Sequence, residues 1–148
     1  HTGSVDRTHA YGTVGAVALD QAGHLAAATS TGGTTGMSWG RVGDSPLIGA
    51  GTYAEDQLCA VSATGSGEFF IRAGAARQLR DRMAWHRESV QRAPQNTISD
   101  IAALGGEGGL IAIDARGRVA FAMNSPGMYR GCVGSSATAR TAIYAAEK

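Results

Sequence analysis

Apolar positions along this chain come in short, nearly continuous runs separated by glycine-rich and polar breaks. Two runs resemble each other. Gly15-Ala-Val-Ala-Leu-Asp20-Gln-Ala-Gly23-His-Leu-Ala26 matches Gly109-Leu-Ile-Ala-Ile-Asp114-Ala-Arg-Gly117-Arg-Val-Ala120, with Asp and the second Gly at the same offsets. Asp-x-x-Gly between apolar runs predicts a type I turn closing on a left-handed glycine, hence a β-hairpin in each place. Runs that are apolar throughout, rather than alternating, predict strands covered on both faces. Residues 57–63 predict another strand, and a last one is expected within 138–145. Between them, apolar Ile71, Ala75, Leu79 and Met83 recur every four residues, predicting a helix from Glu68 to Arg87. Its five arginines are interspersed with Glu68, Asp81 and Glu88, the pattern of a solvated face. Pro94 should break this pattern, and Thr97 should cap a short second helix through Leu104. Strands, then helices, then strands give an α+β domain whose helices stack on a sheet.

Composition narrows the picture. The 148 residues suffice for one domain with a real core. With 43% apolar but only 6% aromatic residues, small side chains do most of the packing. The 22 glycines follow no strict period, which excludes collagen, and cluster where turns or close backbone approach are expected. A net charge of +1 leaves no electrostatic footprint for nucleic acid. No apolar run approaches a membrane span. Cys59 and Cys132 lie in apolar surroundings and read as buried free thiols. Residues 1–12 read as a polar linker or tail. Its His1 and His9 lack the compact spacing of a metal site, so no metal ligand is assigned.

The candidate chemistry begins at Thr13, which follows Gly12 and opens the first apolar run. Cleavage between Gly12 and Thr13 would expose an N-terminal threonine carrying both a hydroxyl nucleophile and an α-amine base. That amine titrates at about 7.7–8.0 in the reference state, leaving a large neutral fraction near pH 7. A β-branched residue opening a strand is the plainer alternative. Three further signatures follow. Thr29-Ser30-Thr31-Gly32-Gly33 offers hydroxyls to hold a nucleophile, or ordinary turn chemistry. Gly40-Arg41-Val42-Gly43-Asp44-Ser45-Pro46 presents a guanidinium and a carboxylate, a complementary pair for a free amino-acid head group; a turn-fixing salt bridge is the alternative. Ala63-Thr64-Gly65-Ser66-Gly67-Glu68 reads as a strand end opening a helix, able to receive a developing oxyanion. Phosphate binding competes there, but the run lacks the P-loop ending and the full dinucleotide fingerprint.

The ordered set of these signatures, with Gly49-Ala50-Gly51, Gly105-Gly-Glu-Gly-Gly109 and Gly127-Met128-Tyr129-Arg130, resembles the isoaspartyl peptidase/L-asparaginase family, the plant-type asparaginases. The resemblance implies an N-terminal nucleophile hydrolase with a four-layer αββα sandwich, of which residues 13–148 look like the β-subunit released by autoproteolysis. Residue by residue it makes Thr13 the nucleophile and Thr31 its hydroxyl neighbour. Arg41 and Asp44 hold the substrate α-carboxylate and α-amine. Thr64 and Gly65 form the oxyanion hole, and Gly67 lines the pocket through its backbone. It implies β-aspartyl dipeptides and asparagine as substrates, an α-subunit partner bearing a structural sodium, a dimer of αβ units, and a cytoplasmic setting. No cofactor is expected in this chain itself.

Within the resemblance, glycosylasparaginases share Arg-Val-Gly-Asp-Ser-Pro but usually have Asn where this chain has Gly32. The taspase branch has Gln in place of Asp44. A non-catalytic interaction module is the alternative from another class. Loop residues 34–39, with Trp39, are the sequence's candidates for shaping the leaving-group side.

Overall fold

The computed structural model describes residues 12–34, 36–135, 137–144 and 146. The linker expected over residues 1–12 falls outside them apart from Gly12. Eight strands and three helices follow in the order β1 (Thr13–Leu19), β2 (Leu25–Thr31), β3 (Thr52–Glu55), β4 (Cys59–Gly65), α1 (Gly67–Ala73), α2 (Ala75–Trp85), α3 (Ala93–Ala103), β5 (Gly108–Asp114), β6 (Val119–Met123), β7 (Gly127–Cys132) and β8 (Arg140–Tyr144). The central sheet runs β3-β4-β5-β6, while β1-β2 and β7-β8 form separate antiparallel pairs. The fold is mixed and its sheets are antiparallel, as the sequence led one to expect.

Both repeated Asp-x-x-Gly segments close hairpins in the same way. Asp20 Oδ1 accepts from the backbone N–H groups of Ala22 and His24, each at 2.8 Å. Asp114 Oδ1 accepts from Arg116 and Arg118 at 3.0 and 2.9 Å. Gly23 and Gly117 take positive φ of 91° and 75°. The carboxylate replaces missing backbone partners inside the turn, so two separated stretches of sequence fold into one local structure.

Alternation along β4 sorts the layers. Cys59, Val61 and Ala63 join Phe70, Leu79, Ile98, Ile101, Leu110 and Ala112 in a single buried cluster between sheet and helices. Ser62 faces the other way, where its hydroxyl lies 2.7 Å from that of Thr29 on β2. The β1-β2 hairpin is therefore a second β layer stacked on the face of the sheet opposite the helices. Thr29 also donates to the Gly51 carbonyl at 3.1 Å, tying the hairpin to the segment before β3. Arg80 of α2 clamps Glu55 of β3 with two bonds of 2.7 Å, a bidentate pair that fixes the helix on the sheet edge.

Four expectations need correction. The helix expected over 68–87 is two helices, because Gly74 adopts a left-handed conformation (φ 59°, ψ 49°) and ends α1. The four-residue ladder runs across this break, leaving Ile71 exposed while Ala75 and Leu79 are buried. The first helical pattern does end before Pro94, but the second helix already begins at Ala93 with Pro94 in its first turn, where a missing N–H costs nothing, and Thr97 lies inside it. The Thr97 hydroxyl donates to the Ala93 carbonyl at 2.9 Å instead of capping. Cys132 is only half-buried, whereas Cys59 is buried and its thiol is pushed up to about 12 by that burial. Finally, β4 is covered on both faces and β5 partly so, with Ile111 and Ile113 half-buried, but β1 is not: Val14, Ala16 and Ala18 point outward and are exposed.

Candidate active site

The registers of two hairpins deliver the site. In β1-β2, Thr13 stands directly opposite Thr31. The Thr13 hydroxyl donates to Thr31 Oγ1 at 3.1 Å, and Thr31 Oγ1 also accepts the Gly33 N–H at 2.9 Å. Gly33 thereby occupies one lone pair of Thr31 and orients the hydroxyl that meets Thr13. Thr64 shares the hairpin-facing side of β4 with Ser62, two residues earlier. A cleft of about 640 Å³ opens there, lined by Thr13, Thr64 and Gly65 together with Glu107, Gly108, Ser125 and residues of β7. Gly65 has a φ of 144°, and a Cβ on it would lie 2.3 Å from the Glu107 carbonyl oxygen. Only glycine fits where β4 leaves the sheet.

Arg41, Asp44 and Gly67 form a neighbouring cluster. A Cβ on Gly67 would stand 2.7 Å from Asp44 Oδ1 and 3.1 Å from Arg41 Nη2. The start of α1 can approach both charged groups only because position 67 has no side chain. Asp44 is 5% exposed, and its Oδ2 has no hydrogen-bond partner. Burial pushes its carboxyl above the ordinary range, against the opposing pull of backbone N–H groups and the Arg41 charge. Arg41 stands 3.8 Å from Glu68. That spacing leaves the guanidinium without a tight bidentate carboxylate. The turn-fixing Arg41–Asp44 salt bridge is therefore not what occupies these groups. Asp44 Oδ2 thus lies buried near the Arg41 guanidinium with no hydrogen-bond partner of its own.

The structure thus brings Thr13 to Thr31, and Thr13, Thr64 and Gly65 to one cleft. Gly67 follows Gly65 by two residues with Arg41 and Asp44 packed against it, and none of these three lines that cleft. Sequence reasoning missed Ser62, which supports the hairpin carrying Thr13, and the β7 wall of the cleft. Ser62 lay in plain view as a polar residue inside an otherwise apolar strand. Trp39 is fully exposed and is not among the residues lining the cleft.

A family model described as asparaginase matches residues 2–143. The chain belongs to that asparaginase family. It is 51% identical to an isoaspartyl peptidase of Escherichia coli over 146 residues, which is 97% of this chain and 46% of that protein. It is 46% identical to a putative isoaspartyl peptidase/L-asparaginase of Dictyostelium discoideum, covering 87% of this chain and 37% of that protein. A probable isoaspartyl peptidase/L-asparaginase of Arabidopsis thaliana is also 46% identical, over 89% of this chain and 40% of that protein. The chain thus spans 37–46% of the length of these asparaginase-family relatives. Among the described residues, no group of three or more His, Cys, Asp or Glu side chains is placed to hold a metal ion, and no helix is long and apolar enough to cross a membrane.

Proposed function

We propose that this chain is the nucleophile-bearing half of a hydrolase acting on β-aspartyl dipeptides and L-asparagine. The observation that carries the proposal is the Thr13 hydroxyl, bonded to Thr31 at 3.1 Å on the same cleft as Thr64 and Gly65. In this reading Thr13 Oγ first attacks the Gly12 carbonyl, exchanging the peptide bond for an ester that water then hydrolyses. The freed α-amine of Thr13 becomes the base.

In turnover the amine takes the Thr13 hydroxyl proton as Oγ adds to the substrate side-chain carbonyl. Thr64 and the Gly65 region receive the negative charge on the carbonyl oxygen. When the C–N bond breaks, the leaving amine recovers the proton and departs as ammonia or an amino acid. Water, deprotonated by the same amine, then attacks the ester; its C–O bond breaks, Oγ is reprotonated and L-aspartate leaves. Arg41 and Asp44 hold the α-carboxylate and α-ammonium throughout, fixing the aspartyl end. The remaining half of the precursor is the proposed partner, and the exposed apolar face of β1-β2 is the surface left for it to cover.

Selectivity tests the clamp. The mature enzyme should hydrolyse β-aspartyl dipeptides and some asparagine, with little activity on α-linked aspartyl peptides. Buried polar groups left unpaired reject a substrate that lacks their partners. A preference for α-linked peptides would refute the assignment of Arg41 and Asp44.

A further inference from the structure

We propose that β7, through Tyr129 and Met128, is the wall that reads the leaving group, so that leaving-group preference is set there rather than in loop 34–39. The inference rests on the hydrolase reading above and concerns a part of the cleft to which that reading gives no role.

The order of groups across the sheet carries it. β4 has β3 on one side and β5, then β6, on the other. Asp44 lies against Gly51, the residue immediately before β3, since the Gly51 N–H donates to the Asp44 carbonyl at 3.1 Å. The head-group clamp is therefore on the β3 side of the end of β4. From Gly65 the cleft extends the opposite way, past Gly108 of β5 and Ser125 after β6 to residues 127–131 of β7. Thr13 lines the cleft with Thr64 and Gly65. A substrate whose aspartyl head meets Arg41 and Asp44 and whose carbonyl meets Thr13 must send its leaving group toward β7.

The chemistry of that wall suits a bulky apolar or aromatic leaving residue. Met128 supplies a deformable thioether, and Tyr129 an aromatic ring that is 86% exposed and so available for contact. The cleft, at about 640 Å³, is of the size that holds small organic ligands, far more than ammonia needs.

The test compares Tyr129→Ala and Tyr129→Phe with the parent in the mature enzyme, assembled with the rest of its precursor. The substrates are β-Asp-Phe, β-Asp-Gly and L-asparagine. Tyr129→Ala should lower kcat/KM for β-Asp-Phe roughly tenfold while leaving asparagine within about twofold. Tyr129→Phe should retain the parent's ratio. Equal losses on all three substrates, or an unchanged ratio, would overturn the role of β7 while leaving the hydrolase reading intact. No turnover of any β-aspartyl compound by the parent would overturn both. If Tyr129→Ala does not assemble, Tyr129→Thr keeps a strand-favouring residue and is judged by the same ratio.

Discussion

Strands β1 and β4 have much the same make-up, Thr-Val-Gly-Ala-Val-Ala-Leu against Cys-Ala-Val-Ser-Ala-Thr-Gly, and opposite surroundings. Every residue from Cys59 to Ala63 is buried, between the helices on one face and the hairpin on the other. In β1 the inward residues pack on the sheet, but Val14 is 69% exposed and Ala16 and Ala18 are exposed beside it. On β2, Ala26 and Ala28 extend the same outward face. A continuous apolar run thus states that both faces of a strand need cover without stating what supplies it. For β4 the cover lies within this chain. For β1, the strand that carries Thr13, the outward face has no cover among the described residues, and the chain spans 37–46% of the length of these relatives.

The contrast breaks most visibly at Phe70. This side chain is fully buried in the cluster beneath β4. Phe70→Ala should destabilise the folded protein by about 3–5 kcal/mol, read from denaturant unfolding of the assembled enzyme. A loss under about 1 kcal/mol would mean that the helix-facing core is not where stability resides. A smaller effect sharpens the other side. Ala16→Asp places a carboxylate on the outward face of β1, and at least about 1 kcal/mol should be lost in the assembled protein if a partner layer covers that face. A change within about 0.5 kcal/mol would show the face open to water, and the proposed partner would have to bind elsewhere.

The gentlest perturbation is pH. In the proposed clamp Asp44 binds the substrate ammonium only when ionised, and burial raises its carboxyl above the usual range. KM should therefore rise as pH falls through that raised value, with kcat changing less, and Asp44→Asn should abolish this dependence while raising KM at neutral pH. For stability the sign is opposite. Burial penalises the ionised Asp44 carboxylate by more than its backbone N–H groups and Arg41 offset, and acidification through its raised value relieves that cost. Steady-state kinetics across the acid range, alongside unfolding at the same pH values, separates the two. A pH-independent KM in the parent would remove Asp44 from the clamp.

Much of this arrangement was legible in the residues. Asp20 and Asp114 signalled their turns because the side chain that closes each turn is local. The spacing of Thr13 and Thr31 around one of those turns set them opposite each other. What was hidden depends on partners distant in sequence. Gly74 splits a helical ladder that a periodicity alone carries through, and the short β3 lacks a pattern of its own beside β4. Strand β7 joins the cleft only because β5 and β6 carry the chain across the sheet. Its Gly127-Met128-Tyr129-Arg130 supported the family resemblance but indicated no place in the site. Trp39 drew attention as a large aromatic near the clamp, yet it is not among the residues lining the cleft.

The central claim is that Thr13 is both the cleavage site and the nucleophile. Intact-mass measurement of the purified protein, expressed with the rest of its precursor, tests it most directly when run beside the Thr13→Ala variant. The parent should yield a fragment beginning at Thr13 together with activity on β-aspartyl dipeptides. The variant should remain uncleaved and inactive. An active parent with the Gly12–Thr13 bond intact, or a Thr13→Ala protein that still turns over substrate, would contradict it.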